Sequence, residues 1–147
     1  MDRVLVICVG NVCRSPMAEG LLRDRLARSA TRPRVESAGL AALVGHPADP
    51  IAVELLAERG IDISGHRARQ LTFEMLEGAD LVIVMEAAHQ RDLERLFPQL
   101  RGRVHRIGRF GGYDVPDPFR RNRAAFEQAL ALIERGLDDF AQNVFGS

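Results

Sequence analysis

The stretch CVGNVCRSP, Cys8–Pro16, decides how this chain folds, because it joins an apolar run to the start of a helix. The run Arg3–Val9 (RVLVICV) is continuously apolar and predicts a buried strand. Pro16 suits the first turn of a helix predicted over residues 16–28, where its missing N–H costs nothing. Successive backbone N–H groups of such a loop can point at one place and attract an anion. We therefore predict a phosphate-binding loop over Val9–Ser15.

The side chains of this loop fit phosphate chemistry. Arg14 offers a planar fork of donors that matches two phosphate oxygens. Cys8 lies at the base of the cradle, where the donors that bind phosphate also stabilise a thiolate, and Ser15 can donate its hydroxyl to that thiolate. Gly10 is expected to supply backbone angles that a side chain would disfavour. Taken alone, Cys8 and Arg14 would also fit a buried strand residue and a surface charge, but the surrounding Asn11 and the strand-to-helix setting favour catalysis.

The rest of the chain alternates strands and helices. Further strands are predicted at residues 34–38, 80–85 and 104–107, and further helices at residues 49–59, 72–77, 87–96 and 120–143. Helices between buried strands predict a parallel sheet covered on both faces, an α/β/α arrangement in three layers. Ligands of such sheets bind at the carboxyl ends of the strands, and Cys8 lies at one.

Bulk composition limits the function further. The 147 residues are the size of one domain, predicted over residues 1–147. Lys+Arg and Asp+Glu are both 20, so the net charge argues against a general nucleic-acid or membrane binder. The apolar stretch Val4–Val9 is too short to span a membrane and lacks the layout of a secretion signal, which predicts a cytoplasmic protein. Only two cysteines, Cys8 and Cys13, are present, which in a reducing compartment indicates chemistry more than a structural disulfide.

A thiolate that attacks phosphate needs a general acid to protonate the leaving group. The candidates lie in YDVPDPF, Tyr113–Phe119. Asp117 stands between two prolines, which limit local flexibility and suit a group that must reach into a cleft. Both Asp114 and Asp117 could instead be turn residues that cap the last helix. With the phosphate loop in the same chain we favour Asp117, with Asp114 as the alternate.

Five stretches together resemble the low molecular weight protein tyrosine phosphatases over essentially the whole chain. They are CVGNVCRSPMAEG near the start, SAG at Ser37–Gly39, GHRARQLT at Gly65–Thr72, ADLVIVM at Ala79–Met85 and DVPDPF near the end. The resemblance implies a four-stranded parallel sheet, catalysis without metal or cofactor, and a cysteinyl-phosphate intermediate. It assigns Cys8 as nucleophile, Arg14 as phosphate clamp and Asp117 as general acid. It also implies a polar network that shapes the loop and supports the thiolate, formed by Asn11, Ser15, Ser37 and His66.

A narrower likeness concerns the substrate. The DVPDPFR form and the Gly45–Pro50 segment resemble bacterial members that act on membrane tyrosine autokinases of exopolysaccharide or capsule export. Eukaryotic members often carry two tyrosines after the late Asp-Pro, where this chain has Phe119 and Arg120. We therefore expect a phosphotyrosine protein as partner, no nucleic acid, no stable membrane insertion, and a monomer or weak dimer. His46, His89 and His105 show no ligand spacing, so no metal site is predicted.

Pocket depth is expected to select the substrate. A phosphotyrosine side chain is longer than phosphoserine, so a deep pocket would let only the longer one reach Cys8. The predicted walls, which could equally be core residues in the case of Leu40, are Val9, Val12 and Leu40, with Tyr113 or Phe119 as an aromatic face.

Cys13 has two interpretations. It could be a small buried hydrophobe, as free cysteine often is. It could also trap a sulfenic acid on Cys8 as a disulfide, because a curled loop brings cysteines five positions apart within bridging distance. We predict the protective role.

Three rivals share features with this sequence. Arsenate reductase on the same fold needs further cysteines, and none follows Cys13. A protein arginine phosphatase usually has Thr where Val12 stands. A non-catalytic phosphopeptide-binding module would usually have lost Cys8 or Asp117, and both are present.

Overall fold

The computed structural model describes residues 1–145, so the last two residues of the expected domain lie outside the described part. Its sheet contains the strands β1 (Arg3–Cys8), β2 (Arg34–Gly39), β3 (Leu81–Val84) and β4 (Val104–Arg106). Their spatial order is β2-β1-β3-β4, and every neighbouring pair is parallel. The predicted four-stranded parallel sheet is confirmed. Because β1 pairs with strands on both sides, Cys8 at its carboxyl end lies where ligands of such sheets bind.

Helices cover both faces of this sheet. They are α1 (Arg14–Leu26), α2 (Pro50–Ala57), α3 (Phe73–Gly78), α4 (Ala87–Leu96) and α5 (Arg123–Asn143), with a short 3-10 helix at Pro98–Leu100. In β1, Val4 and Val6 pack in the core with α1, α2 and α5, whereas Leu5 and Ile7 pack with α3 and α4. Alternate residues of a strand point to opposite faces, so a strand buried on both faces must be apolar throughout.

Helix starts follow their capping residues. The side chain of Asp49 accepts a hydrogen bond from the backbone of Ile51, and that of Thr72 accepts one from Met75. At α5 the cap is Asn122, whose side chain accepts from Ala125. The predicted start of this helix at Arg120 is therefore three residues too early.

The phosphate loop also ends earlier than predicted. The helix α1 begins at Arg14, so Pro16 lies inside its first turn, where its missing N–H is still tolerated. The helix ends at Leu26, two residues before the predicted end, and β1 ends at Cys8 instead of Val9. Within residues 1–145, no helix combines the length and the apolar composition that crossing a membrane requires.

Candidate active site

The loop between β1 and α1 turns at Asn11 and not at Gly10. Asn11 has φ 59°, in the left-handed region that most side chains avoid, whereas Gly10 has no positive φ. The buried amide of Asn11 donates to Ser15 Oγ at 2.8 Å and to Ser37 Oγ at 3.0 Å, and its oxygen accepts from the backbone N–H of Arg69 at 3.0 Å. These bonds hold the turn, which the sequence had assigned to the glycine.

Gly10 has a different use. A Cβ at this position would lie 3.6 Å from Val12 Cγ2 and 3.9 Å from Leu43 Cδ1, which is ordinary contact. Both of those side chains and Gly10 itself line the cleft above Cys8. The absence of a side chain at Gly10 therefore leaves space in that cleft. The backbone conformation at this position does not itself require glycine.

The sulfur of Cys8 lies 2.9 Å from the hydroxyl oxygen of Ser15. That oxygen already accepts a hydrogen bond from Asn11, so the hydroxyl proton of Ser15 is available to the sulfur. A thiolate can only accept, and Ser15 then donates to it. The side chain of Cys8 is buried, and positive charge from Arg14 lies in the same cleft.

A second layer of contacts fixes Asn11 from behind. Ser37 Oγ donates to Glu19 Oε1 at 2.6 Å, and Glu19 is paired with Arg23 at 2.6 Å. His66 Nε2 lies 2.7 Å from the backbone oxygen of Asn11, and because that partner is a carbonyl, the ring nitrogen donates. The structure thus brings together all four residues of the expected polar network. It adds Glu19, which lies in the stretch CVGNVCRSPMAEG, four residues after Ser15, but was not expected in the network.

Arg14 is almost fully buried, with 1% of its side chain exposed. Its Nη1 donates to Glu86 Oε2 at 2.6 Å and to the backbone oxygen of Val115 at 2.8 Å. Its Nε has no hydrogen-bond partner among residues 1–145, and Nη2 lies 3.7 Å from Asp117 Oδ2. Glu86 and Val115 therefore hold one side of the guanidinium, and the Nε–Nη2 edge remains available to an anion in the cleft.

Glu86 was not expected from the sequence, and it has a buried neighbour. His89, one turn along α4, places Nε2 3.7 Å from Glu86 Oε2. Burial lowers the pKa of His89, and the charge of Glu86 opposes this only in part. A neutral imidazole at His89 leaves the carboxylate of Glu86 to form its ion pair with Arg14.

The two aspartates of the late loop occupy different surroundings. Asp117 lines the cleft, is 44% exposed, and accepts from the backbone N–H of Phe119 at 3.0 Å. Asp114 accepts from Arg106 at 2.9 Å and from the backbone N–H of Ala87 at 3.0 Å. Burial raises the pKa of Asp114, but these hydrogen bonds outweigh it and hold the pKa below its usual value. Asp114 is therefore poorly suited to carry a proton, and neither aspartate caps α5.

The cleft has a volume of about 130 Å³. Its lining consists of Cys8, Val9, Gly10, Val12, Cys13, Arg14, Ala41, Leu43, Asp117 and Phe119. Of the predicted walls, Val9, Val12 and Phe119 are present.

Leu40 was predicted as a wall, and Tyr113 as the alternative to Phe119 for the aromatic face, but the structure places neither in the lining. Leu40 packs with the core on the side of α3 and α4. The hydroxyl of Tyr113 donates to the backbone oxygen of Leu132 on α5 at 2.7 Å, and Arg135 lies over its ring.

The chain after β2 supplies the missed walls. The backbone N–H groups of Leu40, Ala41 and Leu43 donate to the carbonyls of residues 8, 9 and 10. These bonds lay the segment alongside the phosphate loop, so that Ala41 and Leu43 face the cleft. Gly39 permits the approach, because a Cβ there would lie 2.6 Å from the backbone oxygen of Val9.

Cys13 is free, like Cys8, and lines the same cleft. Burial raises the pKa of the Cys13 thiol far above its ordinary value, and the charge of Asp49 acts in the same direction. Cys13 is therefore held as a protonated thiol in the same cleft as Cys8. In residues 1–145, no three His, Cys, Asp or Glu side chains are grouped so that they could hold a metal ion.

Comparison with known proteins gives consistent matches. Residues 3–145 match the family described as Low molecular weight phosphotyrosine protein phosphatase. The Probable low molecular weight protein-tyrosine-phosphatase EpsP of Ralstonia solanacearum is 48% identical over 141 residues, which cover 96% of this chain and 94% of the relative.

Two solved structures superimpose equally well on this chain. Vibrio vulnificus Wzb in complex with benzylphosphonate has a TM-score of 0.89 and 36% identity, with 97% of this chain and 99% of that one covered. YwlE arginine phosphatase from Geobacillus stearothermophilus also has a TM-score of 0.89, with 30% identity and with 99% of this chain and 94% of that one covered. This likeness of the backbone extends to a protein described as an arginine phosphatase, so the backbone alone does not identify the substrate.

Proposed function

This chain belongs to the low molecular weight protein tyrosine phosphatase family, whose members are cysteine-dependent phosphomonoesterases that act on phosphotyrosine proteins. We propose that Cys8, Arg14 and Asp117 carry the reaction. One observation supports the proposal above all. Segments far apart in sequence bring a buried cysteine, the donor edge of a buried arginine and a partly exposed carboxyl group to the same cleft. These are a nucleophile, an anion clamp and a proton donor.

In the first step, the Cys8 thiolate attacks phosphorus and the bond from phosphorus to the tyrosine oxygen breaks. Asp117, protonated at the start, transfers its proton to the departing phenolate. Arg14 and the backbone N–H groups of residues 9–15 bind the non-bridging oxygens, where charge is concentrated. The product is a cysteinyl-phosphate and a free tyrosine side chain.

In the second step, water attacks the phosphorus of the cysteinyl-phosphate. Asp117, now a carboxylate, takes a proton from that water, the bond from phosphorus to sulfur breaks, and inorganic phosphate leaves. Ser15 donates to the sulfur and so stabilises the thiolate as a leaving group. The exposure of Asp117 fits this step, because water must reach it.

The walls of the cleft support phosphotyrosine as the substrate. Val9, Val12, Leu43 and Phe119 offer apolar contacts to an aromatic ring, with the phosphate directed at the loop. Val12 offers no hydroxyl to a guanidine-type leaving group.

The physiological substrate we propose is a membrane tyrosine autokinase of exopolysaccharide or capsule export, met on its cytoplasmic side. The likeness of DVPDPFR and of Gly45–Pro50 to bacterial members supports this substrate. Two free cysteines at the site fit a reducing compartment. We further propose that the protein acts as a monomer or weak dimer.

A matched set of peptides tests the activity. The same sequence is offered with phosphotyrosine, phosphoserine or phosphoarginine, and released phosphate is measured. We expect the phosphotyrosine peptide to be hydrolysed at least about tenfold faster than the others, a discrimination that about 1.4 kcal/mol of differential transition-state binding would give. Equal rates on phosphoserine would contradict the deep-cleft argument, and faster phosphoarginine hydrolysis would move the assignment to that chemistry.

The kinase partner is tested separately. Cys8→Ser protein is used to retain phosphotyrosine proteins from the native cell. The control is the double variant that carries both Cys8→Ser and Arg14→Ala and has therefore lost its anion clamp. A retained tyrosine autokinase supports the proposed partner. Retention of other phosphotyrosine proteins without the kinase contradicts it.

A further inference from the structure

An arginine lies over an aromatic ring of the cleft wall. Phe119 forms part of the cleft wall beside Asp117, and its side chain is partly exposed. The guanidinium carbon of Arg120 lies 5.2 Å from the centroid of that ring. This is the geometry of a cation–π contact, which holds an arginine in one place while leaving the edges of its guanidinium free.

The backbone contributes to this placement. Arg120 has φ 62°, in the left-handed region, which is uncommon for a residue with a side chain. The turn is closed by the backbone N–H of Arg121, which donates to the carbonyl of Pro118 at 2.9 Å. The left-handed residue directs the arginine back over the ring that precedes it.

The guanidinium of Arg120 is also unpaired. Some arginines of the molecule are bound to carboxylates: Arg123, for example, contacts Glu54 and Glu58 at 2.5 and 2.7 Å. Among residues 1–145, by contrast, no carboxylate or other hydrogen-bond acceptor pairs with Arg120, whose one contact is the ring of Phe119. Arg120 is exposed, and its donors lie over the ring of Phe119, which is itself part of the cleft wall.

A bound substrate would meet these donors. When the phosphate lies against the phosphate loop and the ring lies between the apolar walls, the peptide backbone must stay at the mouth. Residues next to the phosphotyrosine then pass beside Phe119 and Arg120, since neighbouring Cα atoms are only about 3.8 Å apart.

We propose that Arg120, held on Phe119, forms a subsite for an anionic group on the substrate, carried within a few residues of the reacting phosphotyrosine. The group is an acidic side chain or a second phosphate, because either accepts the paired hydrogen bonds of a guanidinium. This inference rests on the proposed function, since it assumes that a phosphotyrosine peptide fills the cleft.

The test compares kcat/KM for four phosphotyrosine peptides of otherwise equal sequence. They carry Glu, Gln, Lys or a second phosphotyrosine at one flanking position, which is moved in turn over three places on either side. At low salt, the wild type is expected to prefer the Glu or doubly phosphorylated peptide over the Gln peptide by about threefold to tenfold at one or two of these places. The preference should shrink as salt is raised.

Arg120→Gly is the informative variant. Glycine adopts a left-handed backbone without strain, so the change removes the guanidinium and keeps the turn. The ratio between the acidic and the neutral peptide should fall to about one, and Arg120→Glu should reverse it in favour of the Lys peptide. Arg121→Ala, a neighbouring exposed arginine without a ring contact, should keep the wild-type ratio.

The outcomes distinguish the possible anionic ligands, and they distinguish failure of the subsite from failure of the proposed function. A preference confined to the doubly phosphorylated peptide identifies phosphate as the ligand, and a preference for both peptides identifies any anion. Equal kcat/KM for all four peptides on the wild type, or an acidic preference that survives in Arg120→Gly, overturns the subsite. If none of the peptides is hydrolysed, the proposed function itself is wrong.

Discussion

The phosphate loop and the acid loop meet at one cleft but are built in opposite ways. In the phosphate loop, residues 8–15, the side chains of Asn11, Arg14 and Ser15 are buried and bonded to the rest of the fold. In the acid loop, residues 113–121, Asp117 is 44% exposed and its hydrogen bond is to the nearby backbone of Phe119. The proposed anion clamp, Arg14, is fixed by the fold, whereas the proposed general acid, Asp117, stays accessible to water.

One residue joins the two loops. Val115 is fully buried, its backbone N–H donates to the carbonyl of Met85 at 3.0 Å, and its own carbonyl accepts from Arg14 at 2.8 Å. The anchor of the exposed loop therefore helps to orient the arginine of the buried one. Two residues beyond this anchor the chain is again at the surface, which places Asp117 over the cleft.

The largest effect is expected in the buried loop, at the nucleophile. Cys8→Ser should lower kcat by at least about 10⁴-fold, because a serine hydroxyl in these surroundings remains protonated and attacks phosphorus poorly. Binding of inorganic phosphate should survive, since Arg14 and the backbone supply the donors. Phosphate release in single-turnover experiments measures the rate, and titration with inorganic phosphate measures the binding. Substantial remaining turnover would show that Cys8 is not the nucleophile.

The next effect belongs to the exposed loop. Asp117→Asn should lower the rate by roughly 10²–10⁴ for a poor leaving group and by much less for a good one, because only the poor one needs protonation. A series of aryl phosphates of graded leaving-group pKa measures this dependence.

Asp114→Asn is the matched control for that series. It weakens the contacts with Arg106 and with the start of α4, so its losses should be similar for all leaving groups. If the dependence on the leaving group appears in Asp114→Asn and not in Asp117→Asn, the two aspartates have exchanged roles.

Local pattern was enough to predict the buried loop and its position. Cys8, Arg14 and Ser15 lie within one strand–loop–helix unit, so their neighbours in sequence are also their neighbours in space. The partners that complete the site are remote: Glu86 is 72 residues from Arg14, and the carbonyl of Val115 is 101 residues away. No periodicity in the sequence indicates that residues so far apart are in contact.

The errors have the same origin. Glycine is the usual residue for a left-handed turn, but Asn11 takes it because three hydrogen bonds, two of them from distant segments, hold it there. Tyr113 was one of two candidates for the aromatic face, yet its hydroxyl is bound to Leu132, a contact set by how α5 packs, and Phe119 lines the cleft instead. Both outcomes depend on tertiary contacts and not on local propensity.

Asn11 allows the contribution of the buried turn to be divided. Asn11→Ala loses the side-chain hydrogen bonds and also strains a left-handed backbone, so the free energy of unfolding should fall by about 2–4 kcal/mol. Asn11→Gly loses the bonds without the strain and should be about 1–2 kcal/mol more stable than the alanine variant. Denaturant titration of both proteins measures the difference.

The exposed loop supplies the control, because Arg120 is also left-handed. Arg120→Gly should change the free energy of unfolding by less than about 1 kcal/mol, since no buried hydrogen bond is lost.

Equal stability of the two Asn11 variants would mean that the backbone strain is negligible and that the hydrogen bonds alone account for the turn.

The smallest effect is expected at Cys13 and appears only under oxidation. Peroxide converts the Cys8 thiolate to a sulfenic acid, and the Cys13 thiol can attack its sulfur, which releases water and forms a disulfide. Because burial raises the pKa of Cys13, few molecules carry the attacking thiolate, so the bridge should form slowly and faster as pH rises. A thiol reductant should then restore wild-type activity.

Cys13→Ser lacks this trap. After the same brief treatment with dilute peroxide, the fraction of its own initial activity that reductant restores should be about threefold smaller than in the wild type, because Cys8 proceeds to the sulfinic acid. Mass spectrometry should find a Cys8–Cys13 disulfide in the oxidised wild type and sulfinic acid at Cys8 in the variant. Equal recovery with no bridge at any pH would assign Cys13 to packing alone, and the high pKa that burial imposes would then be the reason that it stays inert beside a reactive cysteine.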